Sequence, residues 1–263
     1  MILAILAVIC GLRHGDLPLA WSEEFDAPKI NERKWFSPIE IRQGCTLWHP
    51  SNLTIKNGSA HFAIKEIRDH RTLKYESAAL ISNFTFKRGY LECRCKFPKE
   101  VNCDYSAALW LMGGGSGQWS APTAELTDSS QAAEIDIFET FTRWREDAGC
   151  NSAFHWGGYG DKHNLENCRW DCGGEPGWHI IGFTWTDKEY IVSVDGKEVV
   201  RTDLKDLGEK SGREKSQGVL NAPARIILSC EAAKWAGPNW KDFEENAPAQ
   251  DEFVVDYIRV YHK

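Results

Sequence analysis

The segment Ala133-Glu-Ile-Asp-Ile-Phe-Glu-Thr140 alternates apolar and acidic side chains as far as Ile137. Such alternation is typical of a β-strand with one face in a core and the other outside it. Glu134 and Asp136 then share one face, whereas a regular strand would turn Glu139 toward the core, where an unpaired carboxylate is costly. One extra residue near Phe138, forming a β-bulge, returns Glu139 to the face of the other two carboxylates. The segment therefore predicts a bulged strand that lines a groove with three carboxylates.

The same alternation recurs along the chain in short segments separated by turn residues. Asn57-Gly58 and Asp195-Gly196 lie between alternating segments and are typical of two-residue hairpin turns, the second with a type I′ signal. No amphipathic helix with caps at both ends is evident. We therefore predict an all-β sandwich or barrel, with surface loops at 113–131 and 203–222. Further strands are predicted at 53–56, 60–65, 90–97, 179–185, 189–194, 197–201, 224–230 and 253–261.

The composition is that of one globular domain. The 263 residues are 42% hydrophobic and 26% charged, which excludes wholesale disorder and a collagen-like repeat. The net charge of −7, without a basic block, is a poor match to nucleic acid or to an anionic membrane. The 12 tryptophans are more than a core needs, and they indicate either flat stacking surfaces or a large aromatic core.

Residues 2–10 form an unbroken apolar run that is too short to span a bilayer as a helix. The run suits the apolar part of a secretory signal, although no Lys or Arg precedes it. Two alternatives stay open: a hydrophobic first strand, and a lipoprotein anchored at Cys10, although Ile9 stands where a small residue is usual. We expect a leader over 1–20, one domain over 21–263, and a secreted or periplasmic protein without stable membrane insertion.

The cysteines predict an oxidising compartment. Without Cys10, eight of the nine cysteines remain, an even number that favours some disulfide bonds. Cys93 and Cys95 share one face of a strand and cannot readily bond each other. The spacing of Cys168 and Cys172 resembles a loop clasp more than a zinc site, because no second pair at metal spacing accompanies it.

Three carboxylates on one strand face have a chemical use. Crowding of like charges keeps one of them protonated near neutral pH. A retaining glycosidase needs this arrangement, because one carboxylate attacks the anomeric carbon while a protonated one donates to the leaving oxygen, at a separation of about 5–5.5 Å. The alternative is an acidic strand face that is simply exposed to solvent, and alternation by itself does not distinguish the two.

The carboxylate segment and its neighbours resemble glycoside hydrolase family 16 in its bulged form, E-x-D-x-x-E. The resemblance runs from about residue 20 to the C-terminus, and it depends on the joint order of several short motifs. These motifs are Trp21-Ser-Glu-Glu-Phe-Asp26 followed by Lys34-Trp35, Lys87-Arg-Gly-Tyr-Leu-Glu-Cys-Arg-Cys-Lys96, Ala108-Leu-Trp-Leu-Met112, Asn151-Ser-Ala-Phe-His-Trp156, Trp178-His179 with Phe183-Thr-Trp185, and Val255-Asp-Tyr-Ile-Arg-Val-Tyr261.

The resemblance implies a β-jelly-roll sandwich of two antiparallel sheets with a concave substrate cleft. It also implies a catalytic domain that hydrolyses internal β-linkages with retention, with Glu134 as nucleophile, Glu139 as acid/base and Asp136 hydrogen-bonded to Glu134. The bulged form is typical of laminarinase-like β-1,3-glucanases, agarases, porphyranases and κ-carrageenases. We expect a β-1,3- or β-1,3/1,4-glucan as substrate.

Departures from the family pattern fall around the cleft, where they bear on the substrate. Ser106-Ala-Ala-Leu-Trp110 stands where laminarinase-like members usually have W-P-A-F-W, and Ile227-Leu-Ser-Cys-Glu231 replaces the usual L-N-x-A. One alternative is the same chemistry on a marine galactan such as agarose, porphyran or κ-carrageenan. A non-catalytic glycan-binding protein on the same fold is the other. A sulfated substrate would need basic residues in the cleft, and the candidates are Arg42, Arg94, Arg143 and Arg145.

The resemblance also points to substrate-binding residues, each with a structural alternative. Trp110 borders the cleft or packs in the core, and Asn52 lines the cleft or forms a turn. His155 binds a sugar hydroxyl near Glu139 or modulates the proton affinity of Glu139, and it is otherwise a structural histidine. Arg94 binds sugar or pairs with a carboxylate such as Glu92. The loop tryptophans proposed for stacking on sugar rings are Trp119, Trp144, Trp235 and Trp240.

Glu24 and Asp256 resemble a structural calcium site that many family members carry on the convex face, and calcium prefers such oxygen ligands. Catalysis by paired carboxylates requires no cofactor. The expected partner is a polysaccharide substrate, and we expect a monomer.

Overall fold

The computed structural model describes most of the sandwich and leaves several connecting segments undescribed. β1 begins at Leu19, inside the range 1–20 expected to be a leader, and residues 1–16 lie outside the described part. The described residues are 17–42, 46–67, 73, 75–97, 105–113, 134–140, 149–157, 161, 163–171, 177–205, 207, 223–232 and 250–262.

Strands make up nearly all of the described secondary structure, together with one 3-10 turn at Pro50–Asn52. In chain order the strands are β1 (Leu19–Glu23), β2 (Trp35–Phe36), β3 (Glu40–Arg42), β4 (Thr46–Trp48), β5 (Leu53–Lys56), β6 (Ser59–Glu66), β7 (Tyr75–Ser77), β8 (Ala79–Phe86), β9 (Gly89–Lys96), β10 (Tyr105–Gly113), β11 (Glu134–Thr140), β12 (Gly149–Trp156), β13 (Asn164–Asp171), β14 (His179–Trp185), β15 (Glu189–Val194), β16 (Lys197–Asp203), β17 (Ala224–Ala232) and β18 (Gln250–Tyr261).

The described strands form two sheets that pack face to face over a shared core. The larger sheet has the order β16-β15-β14-β9-β18-β6-β7-β4-β3, with β1 beside β18 and β5 beside β6. The smaller sheet has the order β13-β12-β11-β10-β17-β8-β2. The predicted all-β sandwich is confirmed, and its strand pairs are antiparallel except β4 and β7, which run parallel.

The core follows directly from the alternation of the strands. In β9, Leu91, Cys93 and Cys95 are fully buried and face inward, whereas Glu92 and Arg94 face outward. Burying an aliphatic or aromatic side chain in this way contributes about 1.5–3 kcal/mol each. The largest buried side chains of the sandwich include Trp35, Trp48, Trp185, Tyr190, Phe62, Phe138, Phe154, Phe183 and Phe253. Many tryptophans are therefore packing residues.

The two predicted hairpin turns are present. Asn57 and Gly58 have φ angles of 53° and 71°, and Asp195 and Gly196 have φ angles of 51° and 81°. Two successive residues with positive φ define the type I′ turn, which matches the right-handed twist of the strands it joins. Of the loops predicted at 113–131 and 203–222, Gly113 and Asp203 are instead the last residues of β10 and β16, and residues 114–131, 206 and 208–222 lie outside the described part of the chain.

The prediction of disulfide bonds is not supported in the part of the chain that the structure describes. None of the five described cysteines, Cys93, Cys95, Cys150, Cys168 and Cys230, is in a disulfide bond. Cys93 and Cys95 point to the same side of β9, as expected, and burial raises the pKa of the Cys95 thiol well above its usual range. Cys10, Cys45, Cys103 and Cys172 lie outside the described residues.

Candidate active site

A cavity of about 400 Å³ lies on the face of the smaller sheet that points away from the core. The central strands of that sheet supply most of its wall, and Arg42 reaches it from β3 of the larger sheet. The lining residues are Arg42, Ser106, Ala108, Trp110, Glu134, Asp136, Glu139, Asn151, Ala153, His155, Leu165, Asn167, Ser229 and Glu231.

The predicted bulge brings the three carboxylates of β11 to this cavity. Asp136 and Glu139 pair with Trp110 and Ala108 of β10, so three steps along β11 match two steps along β10. The register against β12 shifts at the same place. The two intervening residues, Ile137 and Phe138, are both fully buried. The extra residue is therefore absorbed in the core, and Glu139 returns to the cavity face.

A buried serine on β12 supports the bulge. The Ser152 hydroxyl donates to the carbonyl of Ile137 at 2.7 Å and accepts from Nε1 of Trp170 at 3.0 Å. A bulge removes backbone groups from the regular ladder, and a buried carbonyl without a partner would be costly. Ser152 thus satisfies a carbonyl at the position where the ladder is irregular. Sequence reasoning missed this residue, because no local pattern links Ser152 to Ile137.

The carboxylates differ in how strongly the site favours their protonated forms. Burial, reinforced by the charges of Glu134 and Glu231, raises the pKa of Asp136 well above its usual range. Burial also raises the pKa of Glu139, with Asp136 and Glu134 adding to the effect and a hydrogen bond with Asn151 opposing it. The cavity therefore favours the protonated forms of Asp136 and Glu139 beside Glu134.

His155 lies beside Glu134 and Asp136, whereas the sequence analysis placed it near Glu139. Its Nε2 atom lies 3.2 Å from Oδ2 of Asp136 and 3.6 Å from Oε1 of Glu134. The register pairs His155 with Glu134 and not with Glu139, although both His155 and Glu139 line the cavity, and the binding of a sugar hydroxyl by His155 stays a prediction. Its Nδ1 atom lies 2.9 Å from Nε2 of His163, which the sequence did not single out.

Glu231 is a fourth carboxylate in the cavity wall. Nε of Arg42 lies 3.1 Å from Oε2 of Glu231, and Nη1 of Arg42 lies 3.6 Å from Oε1 of Glu40. The guanidinium also covers the ring of Trp48 at 4.7 Å. Burial opposes the charge of Arg42, but the two carboxylates outweigh burial and raise its pKa. Glu231 falls in the segment that departs from the family pattern, so a sequence signal existed.

Trp110 lies at the border between the cavity and an apolar cluster. It is 6% exposed, and its Nε1 atom donates to the Ser229 hydroxyl at 3.1 Å. Trp110 therefore has both of the positions considered above, because its ring packs in the apolar cluster and also lines the cavity. The apolar cluster comprises Trp48, Ala79, Ile81, Ala108, Trp110, Met112 and Ile227, with Phe36 against it.

Two buried side-chain atoms of cavity-lining residues have no hydrogen-bond partner among the described residues, namely Oγ of Ser106 and Oδ1 of Asn151. Nδ2 of Asn151 donates to Oδ1 of Asn167 at 2.9 Å. Buried polar groups are usually hydrogen-bonded, so unpartnered ones in a cavity wall suit a hydroxyl-rich ligand or water. Asn167 and Ser106 are further lining residues that sequence reasoning did not assign.

Arg94 and Asn52 do not line the cavity. Arg94 lies on the outer face of the larger sheet, because it alternates with the inward-facing Cys93 and Cys95, and it forms an ion pair with Asp256. The prediction that Arg94 binds substrate is therefore wrong, and the alternative, that Arg94 pairs with a carboxylate, is the one observed. Asn52 is buried in the 3-10 turn, where Nδ2 donates to the Ser77 carbonyl at 3.3 Å. The turn role of Asn52 is the one observed.

The residues expected to hold calcium have other partners. The guanidinium of Arg259 donates two hydrogen bonds, of 2.9 and 2.7 Å, to the carboxylate of Glu24. Asp256 is engaged by Arg94 and by the Ser59 hydroxyl at 3.5 Å. Calcium requires several oxygen ligands with uncompensated charge, so these contacts do not fit a site built on Glu24 and Asp256.

Several predicted residues lie outside the described part of the chain, so their positions are not assigned. They are Trp119, Trp144, Trp235, Trp240, Arg143 and Arg145. Among the described residues, no helix has the length and hydropathy needed to cross a membrane.

Comparison with known proteins gives a family and a fold. The model of the family described as glycosyl hydrolases family 16 matches residues 42–258. β-Porphyranase B of Zobellia galactanivorans is 24% identical over 198 residues, which are 67% of this chain and 64% of that protein. The catalytic domain of an endo-1,3-β-glucanase (laminarinase) from Thermotoga petrophila has a TM-score of 0.70 at 24% identity, covering 94% of this chain and 98% of the other. A family 16 endo-glucanase from Bacteroides ovatus has a TM-score of 0.72 at 15% identity, covering 91% and 99%.

Proposed function

The chain belongs to glycosyl hydrolases family 16, and from that premise we propose that it is a retaining endo-glycosidase acting on a β-1,3- or β-1,3/1,4-glucan. The observation that carries this proposal is the position of Glu134 and Glu139 in one cavity, with the pKa of Glu139 raised. One carboxylate and one carboxylic acid beside each other are the two groups that retaining hydrolysis requires.

Glu139 is the acid/base in this mechanism. Its raised pKa favours the protonated carboxyl group, which can donate a proton to the leaving glycosidic oxygen. Glu134 attacks the anomeric carbon and forms a covalent glycosyl-enzyme. Glu139, now ionised, takes a proton from water, and that water releases the sugar from Glu134. Two inversions leave the anomeric configuration unchanged.

Asp136 supports this division of roles. It lies between the two glutamates along β11, and burial raises its pKa, which favours the protonated form. A protonated Asp136 can donate a hydrogen bond to the carboxylate of Glu134, which steadies the nucleophile without adding a third negative charge. On the neighbouring strand, Nε2 of His155 lies 3.2 Å from Asp136, to which it can donate, and 3.6 Å from Glu134.

The charge of the cavity favours a neutral sugar at the reacting position. Four carboxyl groups line the cavity, and Arg42 is already engaged by Glu231 and Glu40. Among the described residues that line the cavity, Arg42 carries the guanidinium and is already paired, so a sulfate group would have to approach acidic groups without it, which costs free energy. A glucan supplies hydroxyl groups, which bring no charge next to these carboxyl groups.

A marine galactan is the second candidate substrate. The similarity to a β-porphyranase favours it, and so does the presence of a guanidinium group, that of Arg42, in the cavity wall. The charge balance described above disfavours a sulfated sugar at the centre of the cavity, so a galactan substrate would carry its sulfate elsewhere along the cleft. We propose the glucan first for this reason.

A polysaccharide panel tests the proposal. Laminarin, lichenan, xyloglucan, agar, porphyran and κ-carrageenan would be incubated with the wild type and with Glu134→Gln, and new reducing ends would be measured. We expect release from laminarin or lichenan by the wild type alone, with the β-anomer appearing first in the ¹H NMR spectrum. Full activity of a folded Glu134→Gln variant would reject the enzyme mechanism.

The other outcomes separate the remaining alternatives. Release from agar, porphyran or κ-carrageenan without release from laminarin would replace the glucan by a galactan. Binding of oligosaccharides without any product would indicate a non-catalytic glycan-binding protein. Because polysaccharides do not cross membranes, we also propose a secreted or periplasmic location, and we propose a monomer, which light scattering would test.

A further inference from the structure

We propose that His163 is a positioning residue of this active site, which acts through His155 on the Glu134–Asp136 pair. The inference rests on the proposed function, since it assigns a role in the protonation of the proposed nucleophile. His163 precedes β13, is exposed and does not line the cavity. Its influence on the reaction must therefore pass through the residue that it contacts.

A chain of short contacts links His163 to the carboxylates. Nε2 of His163 lies 2.9 Å from Nδ1 of His155, and the two rings are nearly parallel, at 20°, with centroids 5.2 Å apart. On the other side of the same ring, Nε2 of His155 lies 3.2 Å from Asp136 and 3.6 Å from Glu134. His155 therefore uses both ring nitrogens, one toward the carboxylates and one toward His163.

The contact with His163 fixes the orientation and the tautomer of the His155 ring. Nε2 of His155 faces two carboxyl groups, so a hydrogen on Nε2 can be donated to an ionised oxygen. Neutral His155 then accepts at Nδ1 from Nε2–H of His163, and protonated His155 donates from Nδ1 to a neutral His163. The hydrogen bond between the rings persists in both states. Without the His163 imidazole, this hydrogen bond to Nδ1 of His155 would be lost.

The charge of the histidine pair has a direct effect on the nucleophile. The ionisable groups that line the cavity around His155 are Glu134, Asp136 and Glu139 of β11, Glu231 of β17 and Arg42 of β3. From β13 the cavity is lined by Leu165 and Asn167, which carry no charge. A proton shared by the two imidazoles thus adds a positive charge next to Glu134, and an adjacent positive charge favours the ionised nucleophile.

Two variants of His163 test this role against a merely structural one. In His163→Ala we expect the acid limb of the kcat/KM profile to move to higher pH by up to about one unit, with a loss of roughly tenfold below the optimum. In His163→Gln the side-chain amide can still hydrogen-bond to Nδ1 of His155 but cannot carry the proton. We expect the rate at the optimum to recover in this variant and the acid limb to remain shifted. His61→Ala, on the larger sheet, is the control and should leave the profile unchanged.

A measurement without substrate keeps this proposal separate from the proposed function. ¹⁵N NMR of the imidazoles should show His155 with a hydrogen on Nε2 and a titration coupled to that of His163, and both features should be lost in His163→Ala. An unchanged acid limb in His163→Ala, or an unchanged His155 titration, would overturn the role of His163. Full activity of Glu134→Gln would instead reject the proposed function, while the NMR result would still decide whether the two histidines are coupled.

Discussion

The hydroxyl of Ser152 donates a 2.7 Å hydrogen bond to the carbonyl of Ile137, at the bulge that separates Asp136 from Glu139. The same hydroxyl accepts from Trp170, so one buried side chain on β12 ties the bulge to the neighbouring strand β13. The position of Glu139 in the cavity depends on this bulge, because a regular strand would direct the carboxylate toward the core.

Ser152→Ala should therefore weaken both the fold and the reaction. The substitution leaves the buried Ile137 carbonyl and the Trp170 indole without their partner, and each such loss typically costs about 1–3 kcal/mol. We expect a lower free energy of unfolding in urea and a lower kcat at full saturation, because Glu139 is less firmly placed. Ser51→Ala, at an exposed position, is the matched control. Equal stability of the Ser152→Ala and Ser51→Ala variants would show that the bulge does not depend on this hydroxyl.

Removing Arg42 should destabilise the protein through the carboxylate that it leaves behind. The Arg42 and Glu231 side chains are 23% and 9% exposed, so this salt bridge is intermediate between a surface salt bridge and a buried one. We expect Arg42→Met to lower the free energy of unfolding by about 1–3 kcal/mol at pH 7. The double variant Arg42→Met/Glu231→Gln should recover most of that loss, because no uncompensated charge remains. Additive effects in this double-mutant cycle would contradict a direct interaction.

Stability should fall as pH rises through the pKa values of Asp136 and Glu139. Both groups bind protons more tightly in the folded state than in the unfolded chain, so their contribution is fully present below the unfolded pKa and is lost above the folded pKa. Glu139→Gln removes one of these groups. We expect its melting temperature to exceed that of the wild type at pH 8, with the difference shrinking toward pH 4.

Glu198 provides a control of opposite sign for this prediction. Hydrogen bonding to Arg201 lowers the pKa of Glu198, so its contribution is present above the unfolded pKa and is lost as pH falls through the folded pKa. Glu198→Gln should therefore not stabilise the protein at pH 8. Differential scanning calorimetry over this pH series measures both variants. If the Glu139→Gln variant is less stable than the wild type at pH 8, then ionisation of Glu139 does not destabilise the folded protein, and the prediction fails.

The assignment of Glu139 as acid/base predicts a dependence on the leaving group. Glu139→Gln should lower kcat/KM on the polysaccharide by roughly 10²–10⁴-fold, the usual contribution of general acid catalysis. A dinitrophenyl glycoside leaves without protonation, so formation of the glycosyl-enzyme should be nearly unaffected. Added azide should then restore turnover, because it attacks the intermediate without a general base. Equal losses on both substrates would assign Glu139 a different role.

The sequence was sufficient where the determining interactions are local. Alternation in β11, together with the cost of burying Glu139, predicted the bulge, and the residues Asn57-Gly58 and Asp195-Gly196 predicted two hairpins that the structure contains. These features depend on backbone geometry and on which face a side chain takes, and a short segment specifies both.

The tertiary structure decided which side chains meet across the sheets. Arg42 and Glu231 are 189 residues apart in sequence, and their contact depends on how the edge of the larger sheet approaches the smaller one. Arg94, equally polar and on a strand predicted correctly, faces away from the cavity and pairs with Asp256. The pairing of His155 with Glu134, and its contact with His163, follow from strand register. Composition and spacing do not encode such contacts, because a charge or a ring nitrogen acts through distance and burial, and only the packed sheets set those.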